Sequence, residues 1–428
     1  MKSAMMAKPA DKNIQSGNSR VKVTIYGQVN RAIRFANTGD ATEITSVDND
    51  GSSSRVGFRA VGKANPNLTI GSLTELEWRQ NHRSATSEAN TGAKPEDMRV
   101  RHADVWLDHK NLGKLSMGEG SMAGDAAGLF ELTGVSFVYG FAGANGTDGT
   151  KADAGVRVLA TGGSLPADAT GEPGTFETVQ ATGKARGFRP FNFFGFRQNR
   201  IRYDTPSLMG LRASVSYGEA QTWSAGLTYA GAPPGTKDFN VLFAAGFRKN
   251  ANNTTAFAVS GGVKHSSGFN INGSYDADAT VLPNADGVLF KNSQWGVSGG
   301  WTGKINDAGG TAIGIGYNRS TDGVHGIAQQ YWAAVVQNID AAAADVYAGI
   351  SYDSGTVTHT VTAAEALVTD RPADASVVPE VPALAVKGTP CYSAGTDADQ
   401  YVRAAAGDTC QVARDGVFNF VAGVRIKF

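Results

Sequence analysis

The sequence predicts an all-β fold, a transmembrane antiparallel up-and-down β-barrel of sixteen strands, and three observations predict it. Segments of about ten residues alternate between apolar and polar side chains, as lipid-facing and lumen-facing residues do in barrel strands. Short and long connections between these segments also alternate. Finally, aromatic residues recur at the ends of the apolar faces, where membrane barrels carry interfacial girdles.

Composition agrees with this class of fold. Glycine contributes 54 of the 428 residues, well above an average of about 7%, and suits turns and strands better than helices. The 39 basic residues balance the 39 acidic ones, which argues against a nucleic-acid partner. No run of about eighteen uncharged apolar residues is present in the sequence, so no membrane-spanning helix is predicted.

The first twenty residues lack the apolar core of a secretory signal. Either the protein is cytoplasmic, or the sequence is that of a processed form that begins at a new start residue. The strands that follow favour the processed form. We therefore expect residues 1–20 to be a mobile extension and residues 21–428 to form a single barrel.

The first and last strands show the alternation most clearly. Val21, Val23 and Ile25 alternate with polar side chains, and the last strand places its apolar residues at every second position up to Phe428. Side chains of a strand point alternately to its two faces, so each segment has one apolar face. The predicted strands lie near 21–35, 53–64, 68–82, 98–109, 113–120, 193–204, 210–219, 222–230, 238–249, 254–265, 269–278, 293–303, 311–320, 327–339, 345–353 and 416–428.

The connections between these strands predict how the barrel is oriented. Short turns at one end and long loops at the other are typical of outer-membrane barrels, whose periplasmic turns are short. The long connections fall near 36–52, 83–97, 121–192, 279–292 and 354–415.

A soluble β-sandwich would also show alternating strands. Its packed core would bury the charges of the polar faces, and unpaired buried charges are costly; a water-filled lumen avoids that cost. The charged residues concerned are Arg55, Arg59, Glu75, Glu77, Arg79, Arg200 and Arg202.

Four segments resemble the Gram-negative general porins. KVTIYGQVNR (22–31) is similar to their first strand, and GKLSMGEG (113–120) to the strand before their constriction loop. NRIRYDTPSLMGLRASVSYGE (199–219) resembles one of their hairpins, and the chain ends in Phe428 as these barrels do. The resemblance implies a trimeric sixteen-stranded barrel in the outer membrane, made with a signal peptide that has been removed, and a long third loop (121–192) folded into the lumen.

The same resemblance implies a pore constriction with a basic and an acidic side. Arg55, Arg59, Arg79 and Arg101 would form the basic wall, and Asp125 and Glu131 of the third loop would face them. Arg101 shares its parity with apolar residues, so a bulge is needed to turn it inward. The alternative for each arginine is that it only solvates the lumen or forms a structural ion pair.

Two cysteines, Cys391 and Cys410, lie in the last long loop. Either a disulfide between them closes this loop or both thiols are free, and the sequence leaves these two alternatives open. The six histidines form no zinc motif, and no nucleophile or dinucleotide motif is found. We therefore predict no enzyme activity, no metal and no cofactor.

The function implied is a passive diffusion porin for ions and small hydrophilic solutes. Its expected partners are two further copies of the chain, outer-membrane lipid with lipopolysaccharide, and the diffusing solutes. A substrate-selective porin is the alternative within this class, and an adhesin or structural barrel, with 354–415 as its binding surface, is the alternative outside it. Ion preference stays open.

Overall fold

The computed structural model describes residues 18–37, 42–78, 98–128, 130–140, 197–250, 254–278, 282–283, 289–290, 293–321, 326–360, 392–394, 401–403 and 409–428. Short 3-10 turns lie at Asp50–Ser52, Glu219–Gln221 and Asp340–Ala342. No helix in these ranges is both long and apolar enough to cross a membrane. The strands are β1 (Val21–Asn37), β2 (Thr42–Asp48), β3 (Ser54–Asn65), β4 (Leu68–Trp78), β5 (Met98–His109), β6 (Gly113–Ser121), β7 (Arg197–Asp204), β8 (Leu211–Gly218), β9 (Thr222–Gly231), β10 (Phe239–Lys249), β11 (Thr255–His265), β12 (Phe269–Asp278), β13 (Leu282–Pro283), β14 (Leu289–Phe290), β15 (Ser293–Asn306), β16 (Gly309–Thr321), β17 (Gly326–Ile339), β18 (Ala344–Thr360), β19 (Tyr392–Ala394), β20 (Tyr401–Arg403) and β21 (Thr409–Lys427).

The long strands close into a 16-stranded antiparallel barrel. Each pairs with its neighbours along the chain, and β21 closes the barrel by pairing with β1 from Gln28↔Lys427 to Asn37↔Phe418. Closure removes every free sheet edge, as a strand structure in a bilayer requires. The predicted fold class is therefore confirmed.

The two faces of the barrel differ as the alternation predicts. On β12, Ile271 is 69% exposed on the outer surface, whereas its neighbours Asn270 and Asn272 are buried on the inner side. Large apolar side chains point outward in the same way on the other strands, including Ile201 on β7 and Ile315 on β16. A soluble sandwich would bury these residues, so the outward apolar band is that of a protein whose surroundings are lipid.

Aromatic side chains mark both rims of the barrel. At the end with the long connections, called here the loop end, Tyr217 packs against Trp223 with ring centroids 4.7 Å apart. Tyr317 contacts Tyr331 at the same end, with centroids 4.9 Å apart. At the opposite end, called the turn end, the Trp301 indole donates a hydrogen bond to the Ser267 carbonyl. These positions match the aromatic girdles expected at the two interfaces of a membrane.

The second barrel strand departs from its predicted form, because it consists of two pieces. β3 pairs with the first half of β1, and β2 pairs with the second half, from Arg31↔Asp48 to Asn37↔Thr42. Most of the predicted loop 36–52 is therefore strand. The sequence of β2 lacks the alternation of apolar and polar residues that predicts a barrel strand, because polar residues lie on both of its faces. They are Thr42 and Ser46 on the outward face and Glu43 and Thr45 on the inward face.

One other long connection is shorter than predicted, and another has the predicted bounds but contains two short strands. β18 extends to Thr360 and β21 begins at Thr409, and these extensions pair with each other beyond Asp353. The predicted loop 354–415 therefore loses both of its ends to strands, and it also contains the β19–β20 pair. The predicted loop 279–292 contains the two-residue strands β13 and β14.

Candidate functional site

A charged network lies inside the barrel near the loop end of β3, β4 and β5. Arg101 bridges two glutamates of β4: its Nε lies 2.6 Å from Glu75 Oε1, and its Nη1 lies 2.6 Å from Glu77 Oε2. All three side chains are largely buried, with 15% of Arg101 and 2% of Glu77 exposed. Buried carboxylates need such charge-assisted partners, so this arginine is a central element of the network.

A β-bulge explains why Arg101 points inward. Glu75 pairs with His102, but Leu76 pairs with Val100, so Arg101 is an extra residue of β5 without a counterpart on β4. An extra residue resets the alternation between the two faces of a strand. As a result Arg101 and His102 both face the lumen, and the apolar residues that follow still face outward. This is the bulge that the sequence requires.

Further groups complete the network on both glutamates. The Tyr26 hydroxyl donates a hydrogen bond of 2.6 Å to Glu75, and Arg55 Nη1 lies 3.7 Å from the same carboxylate. Ser53 and Arg99 both donate hydrogen bonds to Glu77. Three guanidinium groups therefore surround two carboxylates, which leaves the network with a net positive charge.

Asp125 lies beside this network. It belongs to the inner loop segment, defined as residues 122–128 and 130–140, which follows β6. Its carboxyl accepts a hydrogen bond from Ser121 and lies within electrostatic range of Arg197, Arg202 and Arg101. The structure thus brings together Arg55, Arg101 and Asp125 of the predicted constriction.

Glu131 takes a different position from the one predicted. Its Oε1 accepts hydrogen bonds from the Thr133 hydroxyl at 2.6 Å and from the Ser298 hydroxyl of β15 at 3.2 Å. These contacts place the carboxylate against the barrel wall on the side away from β3–β5. The alternation of strand residues carries no information about such a loop side chain.

The inner loop segment follows the inside of the barrel from strand to strand. Its backbone N–H groups donate to wall side chains at distances between 2.7 and 2.9 Å. Each of these bonds reaches a different strand, so the segment is held along its length rather than at one point. The pairs are Ala123 to Ser216 on β8, Gly124 to Ser224 on β9, Phe130 to Ser260 on β11 and Leu132 to Asn272 on β12.

The end of the segment packs on the opposite wall. The Asn49 side chain donates a hydrogen bond to the Phe137 carbonyl, and Asn318 donates one to the Gly140 carbonyl, both at 3.1 Å. The Phe137 ring contacts Tyr347 edge to face, with centroids 5.2 Å apart. Arg425 covers the same ring at 3.6 Å. The interruption between β2 and β3, which carries Asn49, therefore holds the far end of the segment.

A second group of charges lies closer to the turn end. Arg200 and Asp104 form an ion pair of 2.7 Å, as do Arg202 and Asp204. Both arginines also donate hydrogen bonds to the Ser121 carbonyl, where the inner loop segment begins. The sequence marked Arg200 and Arg202 as lumen-facing but did not identify them, or Arg197, as neighbours of the constriction. Only their tertiary placement shows this.

Arg59 belongs to this second group and not to the network around Glu75. It lines a cavity of about 640 Å³ and lies 5.8 Å from the centre of the Trp106 ring. Arg55 and Arg59 share a parity, as predicted, but they are four positions apart on β3, which is about 13 Å along the barrel wall. The predicted basic wall is thus spread over two levels of the lumen.

Several predicted features lie outside the described residues. They include Arg79, Cys391 and the loop residues beyond position 140. Cys410 lies on β21, in the part of the strand (409–415) whose side chains are outside the described residues. Within the described residues, no group of three or more His, Cys, Asp or Glu side chains is arranged to hold a metal ion.

Comparisons with known proteins agree with this architecture. The family model for Gram-negative porins matches residues 3–358, whereas no curated protein sequence matches the chain. The anion-selective porin from Comamonas acidovorans is similar in structure, with a TM-score of 0.52 and 13% identity over 95% of this chain and 100% of that one. OmpT of Vibrio cholerae in its trimer form has a TM-score of 0.50 and 16% identity over 95% and 99%. The chain therefore belongs to the Gram-negative porin family and is an outer-membrane diffusion channel.

Proposed function

We propose that the network around Glu75 and Glu77, together with Asp125, forms the constriction of this channel, and that the channel prefers small hydrophilic anions. Solutes move passively through the hydrated lumen, and no catalytic step is involved. The inner loop segment covers the wall of β8–β18 and leaves the permeation path beside the charged residues of β3–β7.

The balance of charge along this path carries the proposal. The network, Asp125 with its neighbour Arg197, and the cavity below contain nine basic side chains and five carboxylates. Charges of one sign that line a narrow, low-dielectric channel attract counter-ions and exclude ions of the same sign. The basic residues are Arg55, Arg59, Arg99, Arg101, Lys114, Arg197, Arg200, Arg202 and Arg212, and the acidic ones are Glu75, Glu77, Asp104, Asp125 and Asp204.

We also propose a homotrimer in the outer membrane. Arg31 shares the outward face of β1 with Val29 and Ile33, which are 42% and 59% exposed. A cation on a lipid-facing surface is costly, so coverage of this face of β1 and β2 by a neighbouring copy would stabilise it. OmpT of Vibrio cholerae has been solved in a trimer form, which supports this arrangement. At the membrane surface, the aromatic girdles would contact lipid and lipopolysaccharide.

Planar-bilayer recordings of detergent-refolded protein test the proposal. We expect stepwise conductance with three equal substates and, under a potassium chloride gradient, a reversal potential with the sign of chloride selectivity. A potential of the opposite sign would contradict the anion preference. If correctly folded, inserted protein does not conduct, the channel function itself is wrong and a structural or adhesive barrel takes its place.

A further inference from the structure

The cavity below the constriction carries cations that the barrel leaves uncompensated. It measures about 640 Å³ and lies against the inward faces of β1 and β3–β8. Lys114 and Arg212 are each the second residue of their strand, so both lie near that end. The cavity therefore adjoins the network around Glu75 and Glu77 at Tyr26, which lines it, and extends from there towards the turn end.

The two carboxylates that line the cavity already have partners. Asp104 forms its ion pair with Arg200, and Asp204 forms one with Arg202. Among the described residues, no carboxylate oxygen lies within 4.0 Å of the cationic nitrogens of the remaining three bases. Asp104, Asp204 and Asp108 attract Lys114 only over longer distances. The three bases without an ion pair are Arg59, Lys114 and Arg212.

Trp106 lies beside two of these cations. Its ring packs against Gly71 of β4, where a Cβ would come within 2.2 Å of it. Lys114 Nζ lies 4.9 Å and Arg59 Cζ 5.8 Å from the centre of the ring, within range of cation–π attraction. Trp106 is only 7% exposed. Because both side chains lie within this range of one buried ring, their attraction to it reduces the order that has to be imposed when an anion binds.

The third cation lies across the cavity. Lys114 is level with Ser214 of β8, two strands away, and Arg212 lies two residues beyond Ser214, so the backbones of Lys114 and Arg212 are about 12 Å apart. Two separated positive positions fit a solute with two anionic groups better than one with a single charge. The planar guanidinium of Arg212 can bind a carboxylate or phosphate through two hydrogen bonds.

We propose that this cavity is a binding subsite for small organic dianions, with one anionic group at Lys114 and Arg59 and the other at Arg212. The inference rests on the proposed anion-preferring channel and specifies one class of its solutes. A subsite of this kind makes the flux of dianions saturable, because solutes pause there between the constriction and the turn end.

Block of the potassium chloride current tests the subsite, with succinate as the probe and butyrate as the control with one charge. We expect succinate to reduce the current with a saturating concentration dependence, and butyrate to have little effect. Lys114→Met and Arg212→Gln should each raise the half-blocking concentration about tenfold, because each removes a charge-assisted interaction. Lys264→Met is the matched control, since Lys264 lies near the turn end of β11 and outside this cavity.

Three results would overturn the subsite while leaving the channel intact. They are equal block by butyrate, block by inorganic phosphate as strong as that by succinate, and succinate block that is unchanged in both cavity variants. Calorimetric titration of the refolded variants with succinate measures the same site without conduction. Loss of conductance would therefore count against the channel function, and loss of succinate binding against the subsite.

Discussion

The two sides of the lumen satisfy the hydrogen-bonding and charge requirements of their buried polar groups in different ways. The charged wall, formed by the inward faces of β3–β7, uses ion pairs such as Arg101 with Glu75 and Glu77. The loop-bearing wall, formed by those of β8–β12 and β15–β18, uses neutral Ser and Asn side chains that accept hydrogen bonds from the inner loop segment.

This difference assigns the ion selectivity of the channel to one wall and the shape of its pore to the other. Ion pairs with excess arginine leave a charged surface for solutes to pass. Neutral hydrogen bonds and apolar packing, by contrast, fix a loop and add no charge of their own. Around Val135 and Val138 the packing is that of a small core, with Trp332, Val336 and Tyr347 contributed by the wall. The loop-bearing wall should therefore determine pore size and the charged wall ion preference.

Loss of Arg101 should have the largest effect on stability. In Arg101→Met both buried glutamates lose their bridging cation, and breaking a buried pair in this way costs about 3–5 kcal/mol. We expect the free energy of unfolding in urea, measured on refolded protein in detergent, to fall by this amount.

Arg99→Met provides the comparison for that experiment. Arg99 also contacts Glu77, but 47% of its side chain is exposed, and exposed pairs contribute about 1 kcal/mol or less. Adding Glu75→Gln and Glu77→Gln to Arg101→Met should restore much of the lost stability. Equal losses for Arg99→Met and Arg101→Met would show that the bridge has no special role.

A smaller effect, on conductance, is expected from Gly226→Ala on the loop-bearing wall. A Cβ at Gly226 would lie 2.2 Å from the Ala123 carbonyl oxygen, and such overpacking costs about 1–3 kcal/mol. The inner loop segment should move away from the wall and into the lumen, so single-channel conductance should fall.

Gly231→Ala on the same strand is the matched control. The nearest atom to a Cβ there is the Tyr229 hydroxyl at 3.6 Å, which is an ordinary contact. Ion selectivity should stay unchanged in both variants, because neither alters a charge. A wild-type conductance for Gly226→Ala would contradict the idea that this wall sets the pore size.

The strands of both walls could be predicted from the sequence, because alternation is a local property. The inward orientation of Arg101 could be predicted only as a conflict between its charge and its parity, which the bulge resolves. The partners of the arginines could not be predicted, because Glu75 meets Arg101 across neighbouring strands and Asp125 meets Arg197 across a long loop. The path of the inner loop segment could not be predicted either, because it depends on single Ser and Asn residues that lie far apart in the sequence.

A change in the charge of Asp125 should have the smallest of these effects, because Asp125 contributes only one of the many charges that line the permeation path. Burial raises the pKa of the Asp125 carboxyl above its usual value, although the Ser121 hydrogen bond and nearby Arg197 oppose the shift. A raised pKa in the folded state favours the protonated form, so the associated stability is present at low pH and is lost as the pH rises through that pKa. On acidification Asp125 should therefore lose its charge before an exposed aspartate does, and anion preference should increase.

Reversal potentials measured from neutral to acidic pH test this expectation. Asp125→Asn should show the stronger anion preference at neutral pH, should match wild-type protein once Asp125 is protonated at acidic pH, and should lack the step that wild-type protein shows above the usual aspartate range. Glu131→Gln is the control on the same segment, because Glu131 contacts Thr133 and Ser298 at the loop-bearing wall. If the step persists in Asp125→Asn and disappears in Glu131→Gln, the acidic contribution to selectivity comes from the loop-bearing wall, and the division between a selective wall and a shaping wall fails.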